Sequence, residues 1–231
     1  MSDDKKHAPA SLAAQAMGWI DPVTKAVVPP IHMASTYLRD DDSQYRSGRI
    51  YARADNPTFD QAEATLAALE GGARSMIFSS GMSAATACFL ALAPGDHVVA
   101  PKVMYWSLRN WLMNFATQWG LKVEFVDADR TDAIAAAVKP GTTKLVWLET
   151  PANPTWAVSD IAATAGIAHK AGALLAVDST VATPVLTRPI EHGADIVMHS
   201  ATKYLNGHSD IIAGALVGAR DDAYWQKLRT I

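Results

Sequence analysis

Residues 143–180 read TKLVWLETPANPTWAVSDIAATAGIAHKAGALLAVDST, and this stretch decides the fold. Thr143–Leu148 is a short apolar run and predicts a strand, closed by the polar loop Glu149-Thr150-Pro151-Ala152-Asn153-Pro154. Ile161–Ala171 carries helical periodicity. Leu174–Val177 is a second apolar strand and ends on Asp178-Ser179-Thr180. Strand, helix and strand in this order are the unit of an α/β domain with a mostly parallel sheet and helices on both faces.

The same alternation extends in both directions. Upstream, Thr58–Glu70 predicts a helix ended by Gly71-Gly72, followed by a strand at Ser75–Phe78 and an Ala-rich helix from Gly81 to about Leu92. A strand at His97–Ala100, a helix from Tyr105 to Trp119, a strand at Lys122–Val126 and a short helix at Thr131–Val138 come next. Downstream lie a helical turn at Pro189-Ile190-Glu191, a strand at Ile196–Met198, a strand-like run at Ile211–Val217 and an amphipathic helix over Asp221–Ile231. Residues 1–10 are charged and read as a tail, and residues 11–60 read as an extended arm with short elements, suited to wrapping or to contacting a second subunit. The expected organisation is a tail and arm over residues 1–57, then one α/β domain over 58–231. The final helix has no stop signal, so the chain is expected to be truncated.

Bulk properties narrow the class. A net charge of −3 and the lack of a basic tract argue against a nucleic-acid surface. Apolar runs fall short of the roughly 20 residues needed to cross a bilayer, and the charged N-terminus has no apolar signal core. The expectation is a cytoplasmic protein without a membrane partner. Cys88 is the sole cysteine and lies in an apolar run, which suits a small core side chain and excludes an intramolecular disulfide.

In open α/β sheets ligands sit outside the carboxyl ends of the strands, so the residues just after each strand should form one site. Those residues are Ser79-Ser80-Gly81-Met82-Ser83, the loop to Tyr105, Glu149–Pro154, Asp178-Ser179-Thr180 and His199-Ser200-Ala201-Thr202-Lys203. Singly, each has two readings. Ser80 is a helix N-cap, or the turn with Gly81 and Met82 offers free N–H groups to an anion. Lys203 is an exposed turn residue, or a desolvated amine whose lowered pKa lets it attack an aldehyde and form a Schiff base. Asp178 caps the next segment, or its carboxylate keeps a pyridine nitrogen protonated and the ring an electron sink. Tyr105 is an ordinary aromatic at a helix start, or a stacking platform for a flat ring. His199 and His208 lack metal-ligand partners at a suitable spacing and are read as packing or hydrogen-bonding residues.

Taken together, these motifs resemble, in order and spacing, the Cys/Met-metabolism pyridoxal-phosphate enzymes. That group includes cystathionine β-lyase, cystathionine γ-lyase, cystathionine γ-synthase and methionine γ-lyase. The resemblance rests on Gly81-Met82, Tyr105, Glu149–Pro154, Asp178-Ser179-Thr180 and Ser200-Ala201-Thr202-Lys203, with Tyr51-Ala52-Arg53-Ala54-Asp55-Asn56-Pro57-Thr58 in the arm. It covers nearly all of residues 18–231. It implies a fold-type-I large domain with pyridoxal 5′-phosphate as cofactor and Lys203 as its covalent anchor and proton carrier. Asp178 would pair with the ring nitrogen. Gly81 and Met82 amides with Ser200 and Thr202 hydroxyls would hold the phosphate, and Tyr105 would stack on the ring and take part in proton transfer. Thr180 would pack against the ring, and Asn153 would meet the ring hydroxyl or the substrate. Tyr51 and Arg53 would reach the phosphate of a neighbouring subunit in a dimer of dimers, with Tyr51 also serving the chemistry there.

Two departures stand out. Trp106-Ser107-Leu108-Arg109 follows Tyr105 where many members carry glycines, which changes the substrate wall; Trp106 is read either as a core or interface residue, like the other tryptophans, or as a neighbour of the substrate. The family's C-terminal domain, with its carboxylate-binding arginine, lies outside this sequence. Three functions remain open: carbon–sulfur bond cleavage in a sulfur amino acid by elimination, as in cystathionine β-lyase; γ-replacement on an activated homoserine; and an inactive cofactor-binding fragment. Nucleotide binding is set aside, because neither Gly-x-Gly-x-x-Gly nor Gly-x-x-x-x-Gly-Lys-Ser/Thr occurs.

Overall fold

The computed structural model describes residues 8–231. The chain divides into two compact units, one up to Leu69 and one over Glu70–Ile231.

The first unit holds a short helix α1 (Pro9–Ala14) and a 3₁₀ turn at Ala16–Gly18, then mostly irregular chain until α2 (Pro57–Glu70) begins. Asn56 accepts the Thr58 N–H at 2.8 Å with its side-chain oxygen, and Pro57 occupies the first helical turn, a start that uses the missing proline N–H well. Polar ties stand in for a core here. Arg49 pairs with Asp55 at 2.7 Å and also with Asp60, and Asn56 Nδ2 donates to the His32 carbonyl at 3.2 Å. Large apolar side chains stay in the open, with Met33 94% and Leu38 93% exposed.

The second unit is a seven-stranded sheet. Its strands are β1 (Arg74–Phe78), β2 (His97–Pro101), β3 (Lys122–Val126), β4 (Thr143–Glu149), β5 (Leu174–Asp178), β6 (Ile196–His199) and β7 (Gly214–Gly218). They lie in the order β1-β7-β6-β5-β4-β2-β3, with β7 antiparallel to both neighbours and the remaining pairs parallel. The helices are α3 (Gly81–Leu90), α4 (Trp106–Trp111) continuing through a π turn at Leu112–Ala116 into α5 (Thr117–Trp119), α6 (Thr131–Ala137), α7 (Ile161–Lys170), α8 (Thr183–Leu186) and α9 (Ala223–Thr230), with a 3₁₀ turn at Pro189–His192.

The strands read as continuous apolar runs because both of their faces are covered. Leu145 and Trp147 of β4 join one core with Phe89 of α3 and Leu108 of α4. Val146 and Leu148, pointing the other way, are also buried, on the face where α7 contacts β4 and β5. Cys88 sits fully buried in the first core, where desolvation pushes its thiol up to about 12. That matches the reading of a small core side chain and leaves the thiol unreactive at neutral pH.

The structure differs from the sequence reading in three places. The expected strand over Ile211–Val217 begins only at Gly214, and Ile212 is 73% exposed. The expected single helix from Tyr105 to Trp119 contains the π turn. The short helix α8 was not anticipated.

Gly214 shows how tightly β7 meets the start of α3: a Cβ there would lie 2.1 Å from the Ser80 carbonyl oxygen and 2.9 Å from the Gly81 Cα. These are backbone atoms and have no rotamer to escape into. Gly214→Ala is therefore expected to destabilise the protein by about 1–3 kcal/mol, read as a lower urea midpoint at unchanged slope. A midpoint equal to wild type would contradict this packing.

Candidate active site

The carboxyl ends of β1, β2, β4, β5 and β6 and the amino end of antiparallel β7 meet at one rim of the sheet. A cavity of about 900 Å³ opens there, and every residue lining it belongs to the second unit. Nine residues expected at the site from sequence line it: Gly81, Met82, Tyr105, Asn153, Asp178, Thr180, Ser200, Thr202 and Lys203. Tyr51 and Arg53 belong to the first unit, where the Arg53 guanidinium lies 5.1 Å from the centroid of the Tyr51 ring.

Ser80 and Gly81 form the corner from β1 into α3. The Ser80 hydroxyl caps the helix by accepting the Ser83 N–H at 3.0 Å, so the capping reading of Ser80 holds. The Gly81 and Met82 N–H groups belong to the first helical turn, which has no partner one turn back. Gly81 also allows a close approach: a Cβ there would lie 2.7 Å from both Cβ and Oγ of Ser200. The Ser200 side chain is thus held against the amide donors of the helix start, and together they form a concave set of donors suited to an anion.

Thr180 ties this corner to Asp178. Its hydroxyl donates to Asp178 Oδ1 at 2.6 Å and accepts the Ser200 N–H at 2.8 Å, and its own N–H adds a 3.0 Å bond to the same Oδ1. Asp178 therefore does act as a local cap. Both bonds fall on Oδ1, and Oδ2 has no hydrogen-bond partner among the described residues. Burial raises the Asp178 carboxyl above its ordinary range, against the opposing pull of the Thr180 bonds and of His199. His199 is fully buried, with Nε2 2.6 Å from Glu70 Oε1, so it has the hydrogen-bonding role read from sequence.

Glu149 ends β4 directly beside Asp178 on β5, the two being register partners. Its Oε2 accepts the Tyr105 N–H at 2.6 Å and its Oε1 the Asn153 N–H at 2.8 Å. Burial, with the Asp178 charge adding to it, pushes Glu149 up to about 7. Two buried carboxyls side by side favour a cation against them. Sequence reading passed over Glu149 as part of its loop. Its place directly after an apolar strand was the available signal, but the partner at Tyr105 lies 44 residues away and is set by the fold.

Lys203 has the exposure of its plain reading as a turn residue. It lies on the turn after Ser200, outside the sheet, and faces the cavity from an exposed position. The Thr202 hydroxyl already exchanges two 3.0 Å bonds with the Ala213 backbone, so to serve an anion it must release the Ala213 carbonyl. Trp106 is 71% exposed and is not among the cavity's lining residues, whereas Leu108 and Trp156 line it. Trp156, with φ of 61°, forms part of the cavity wall.

This donor set fits a flat guest with an anionic end and a cationic ring. Amides and a hydroxyl gather at the α3 corner, carboxyls lie across the floor, an aromatic ring stands at one side, and an amine faces in.

Comparison with known proteins agrees. Residues 10–231 match the family model described as Cys/Met metabolism PLP-dependent enzyme. The chain is 43% identical over 224 residues to the cystathionine gamma-synthase of Mycobacterium tuberculosis, covering 94% of this chain and 57% of that protein. It is 43% identical over 213 residues to the L-methionine gamma-lyase of Porphyromonas gingivalis, covering 88% and 53%. The crystal structure of metB from Corynebacterium glutamicum superposes with a TM-score of 0.92 at 35% identity, covering 99% of this chain and 59% of that one. The chain thus spans less than two thirds of the length of each of these proteins. It belongs to the family of pyridoxal-phosphate-dependent enzymes of cysteine and methionine metabolism.

Proposed function

We propose that the intact protein uses pyridoxal phosphate, bound through Lys203, to break a carbon–sulfur bond in a sulfur amino acid by elimination. One observation carries this reading: Lys203, Asp178, Tyr105 and the Gly81-Met82 corner, delivered by separate strand ends, line one cavity.

When bound, the cofactor supplies an electron-accepting ring that stabilises negative charge at the α-carbon of an amino acid. The chain's own groups account for the rest. The Gly81 and Met82 amides, with the hydroxyls of Ser200 and Thr202, hold the phosphate. Asp178 holds positive charge on the ring nitrogen through the oxygen that Thr180 leaves free. Tyr105 would stack on the ring and exchange protons at its rim, and Thr180 and Asn153 would fix the ring's other contacts. The Lys203 amine anchors the cofactor and carries a proton between the α-carbon and the departing sulfur group, a general acid–base role.

The chain up to residue 57 is proposed to be an intersubunit arm that brings Tyr51 and Arg53 to the phosphate of a neighbouring subunit in a dimer of dimers. Exposed apolar residues such as Met33 and Leu38, which need cover, support this. Beside a phosphate, the planar guanidinium of Arg53 offers paired donors. Residues 58–231 are then the cofactor-binding domain. Among the described residues no helix is long and apolar enough to cross a membrane, and the cytoplasm is the proposed compartment.

γ-Replacement is the second reading, supported by the name cystathionine gamma-synthase on a relative at 43% identity. Incubating the intact protein with cystathionine, methionine and acylated homoserines, the last with and without a thiol, separates the two. Release of a thiol and a 2-oxo acid from cystathionine supports elimination. Thioether formed only from acylated homoserine plus thiol supports replacement and overturns the first reading.

A further inference from the structure

Glu149 is a buried carboxyl that lines the cavity, and the mechanism above has no use for it. For stability alone its placement is unfavourable. It is 5% exposed and sits against Asp178, another buried carboxyl, on the adjacent strand. Each buried charge loses hydration, and like charges this close repel.

What Glu149 gains is geometry. Its two oxygens accept two backbone N–H groups from two separate loops. One N–H belongs to Tyr105, the residue at the entrance of α4, where helix geometry supplies no acceptor. The other belongs to Asn153, in a loop closed on itself by the 2.9 Å bond from Ala152 N–H to the Ala157 carbonyl and the 2.7 Å bond from Trp156 N–H to the Ala152 carbonyl. A second anchor, Ser159 N–H to Thr150 Oγ1 at 3.0 Å, fixes the far side of that loop. Glu149 is thus the link between the end of β4 and the two segments that carry Tyr105 and Asn153 to the cavity.

We propose that Glu149 is a positioning residue that sets the Tyr105 ring and the Asn153 amide against the bound cofactor by clamping their backbones to the sheet. This rests on the reading that the cavity takes pyridoxal phosphate. The carboxylate form is the one required, because its two equivalent oxygens serve both donors at once. Glutamine, of nearly the same volume, brings one oxygen and an NH₂ group that faces the second N–H without accepting from it.

The test uses the intact protein and pyridoxal phosphate itself. Glu149→Gln is expected to keep the wild-type far-ultraviolet circular dichroism, to bind the cofactor about tenfold more weakly, and to lose most of the circular dichroism induced in the cofactor's visible band. That last signal reports how the ring is held and would not move if Glu149 served folding alone. Glu149→Asp, which keeps two equivalent oxygens, is expected to recover part of both. Glutamine-variant affinity and induced signal equal to wild type would overturn the proposal and leave the functional reading intact. A wild-type protein that binds no cofactor would overturn both. Should the glutamine variant fail to fold, hydrogen exchange in the wild-type holoprotein decides: the amides of residues 105 and 153 are expected to exchange slowly, and exchange at the rate of open loops would overturn the clamp.

Discussion

Lys203→Ala in the intact protein is expected to lower turnover by about 10⁴-fold or more, with the stability of the cofactor-free protein nearly unchanged. The two halves of this expectation have different causes. Catalysis is expected to fall because, in the proposed function, one amine both anchors the cofactor and carries the proton, so no neighbour can take over either task. Stability holds because Lys203 lies exposed on a turn, and truncating it opens no cavity in the core. Its structural contribution is backbone: its N–H donates to the Ser200 carbonyl at 3.0 Å and its carbonyl accepts the Gly207 N–H at 2.8 Å, and alanine keeps both bonds. Turnover within tenfold of wild type would remove Lys203 from the chemistry. A melting temperature of the cofactor-free protein lowered by many degrees would instead mean that its side chain helps hold the turn.

Asp178→Asn is expected to separate function from stability in the opposite sense. Turnover should fall by about 10²–10³-fold, the usual effect of removing a charge preorganised at the reacting system. The asparagine oxygen can still accept the Thr180 bonds, so the loop to Ser200 keeps its shape. The cofactor-free protein, however, should gain stability at neutral and alkaline pH, because a buried charge has been removed. Glu149 supplies the sign. Its carboxyl in the folded chain titrates at about 7, above its ordinary 4.5, so the fold binds that proton more tightly than the unfolded chain does. The stability it contributes is fully present below the ordinary carboxylate range and is lost as pH rises through about 7. Asp178 is one cause of that raised value, so Asp178→Asn should shift the inflection to lower pH. Thermal melts of cofactor-free wild type and variant from acid to alkaline pH read this directly. An unchanged inflection would mean that the two carboxyls do not interact.

Much of the domain was legible in the sequence because its strands are covered on both faces. Runs such as Leu145–Leu148 and Leu174–Val177 are apolar throughout, and the polar residues fall just beyond them, at the rim where the cavity forms. What was not legible has physical causes. Ile211 and Ile212 have the β-branched shape of strand residues, yet they line the cavity ahead of β7, and nothing local distinguishes a wall from a strand. The π turn at Leu112–Ala116 adds one residue to a helical turn and leaves the apolar spacing almost unchanged. The reversed direction of β7 depends on how the segment after Lys203 returns to the sheet. Glu149 was missed because a carboxylate that accepts two backbone N–H groups has no side-chain partner to seek in a sequence. At Asp178 the capping reading holds through one oxygen, and the other is the one proposed to meet the cofactor.

The central claim is that this cavity holds pyridoxal phosphate on Lys203. The direct measurement is borohydride reduction of the intact protein with pyridoxal phosphate present, followed by peptide mass mapping. The account predicts a pyridoxyl group on the peptide containing Lys203, together with a violet-region absorption band before reduction, both lost in Lys203→Ala. A label on a different lysine, or no label and no band in the wild-type protein, would contradict it.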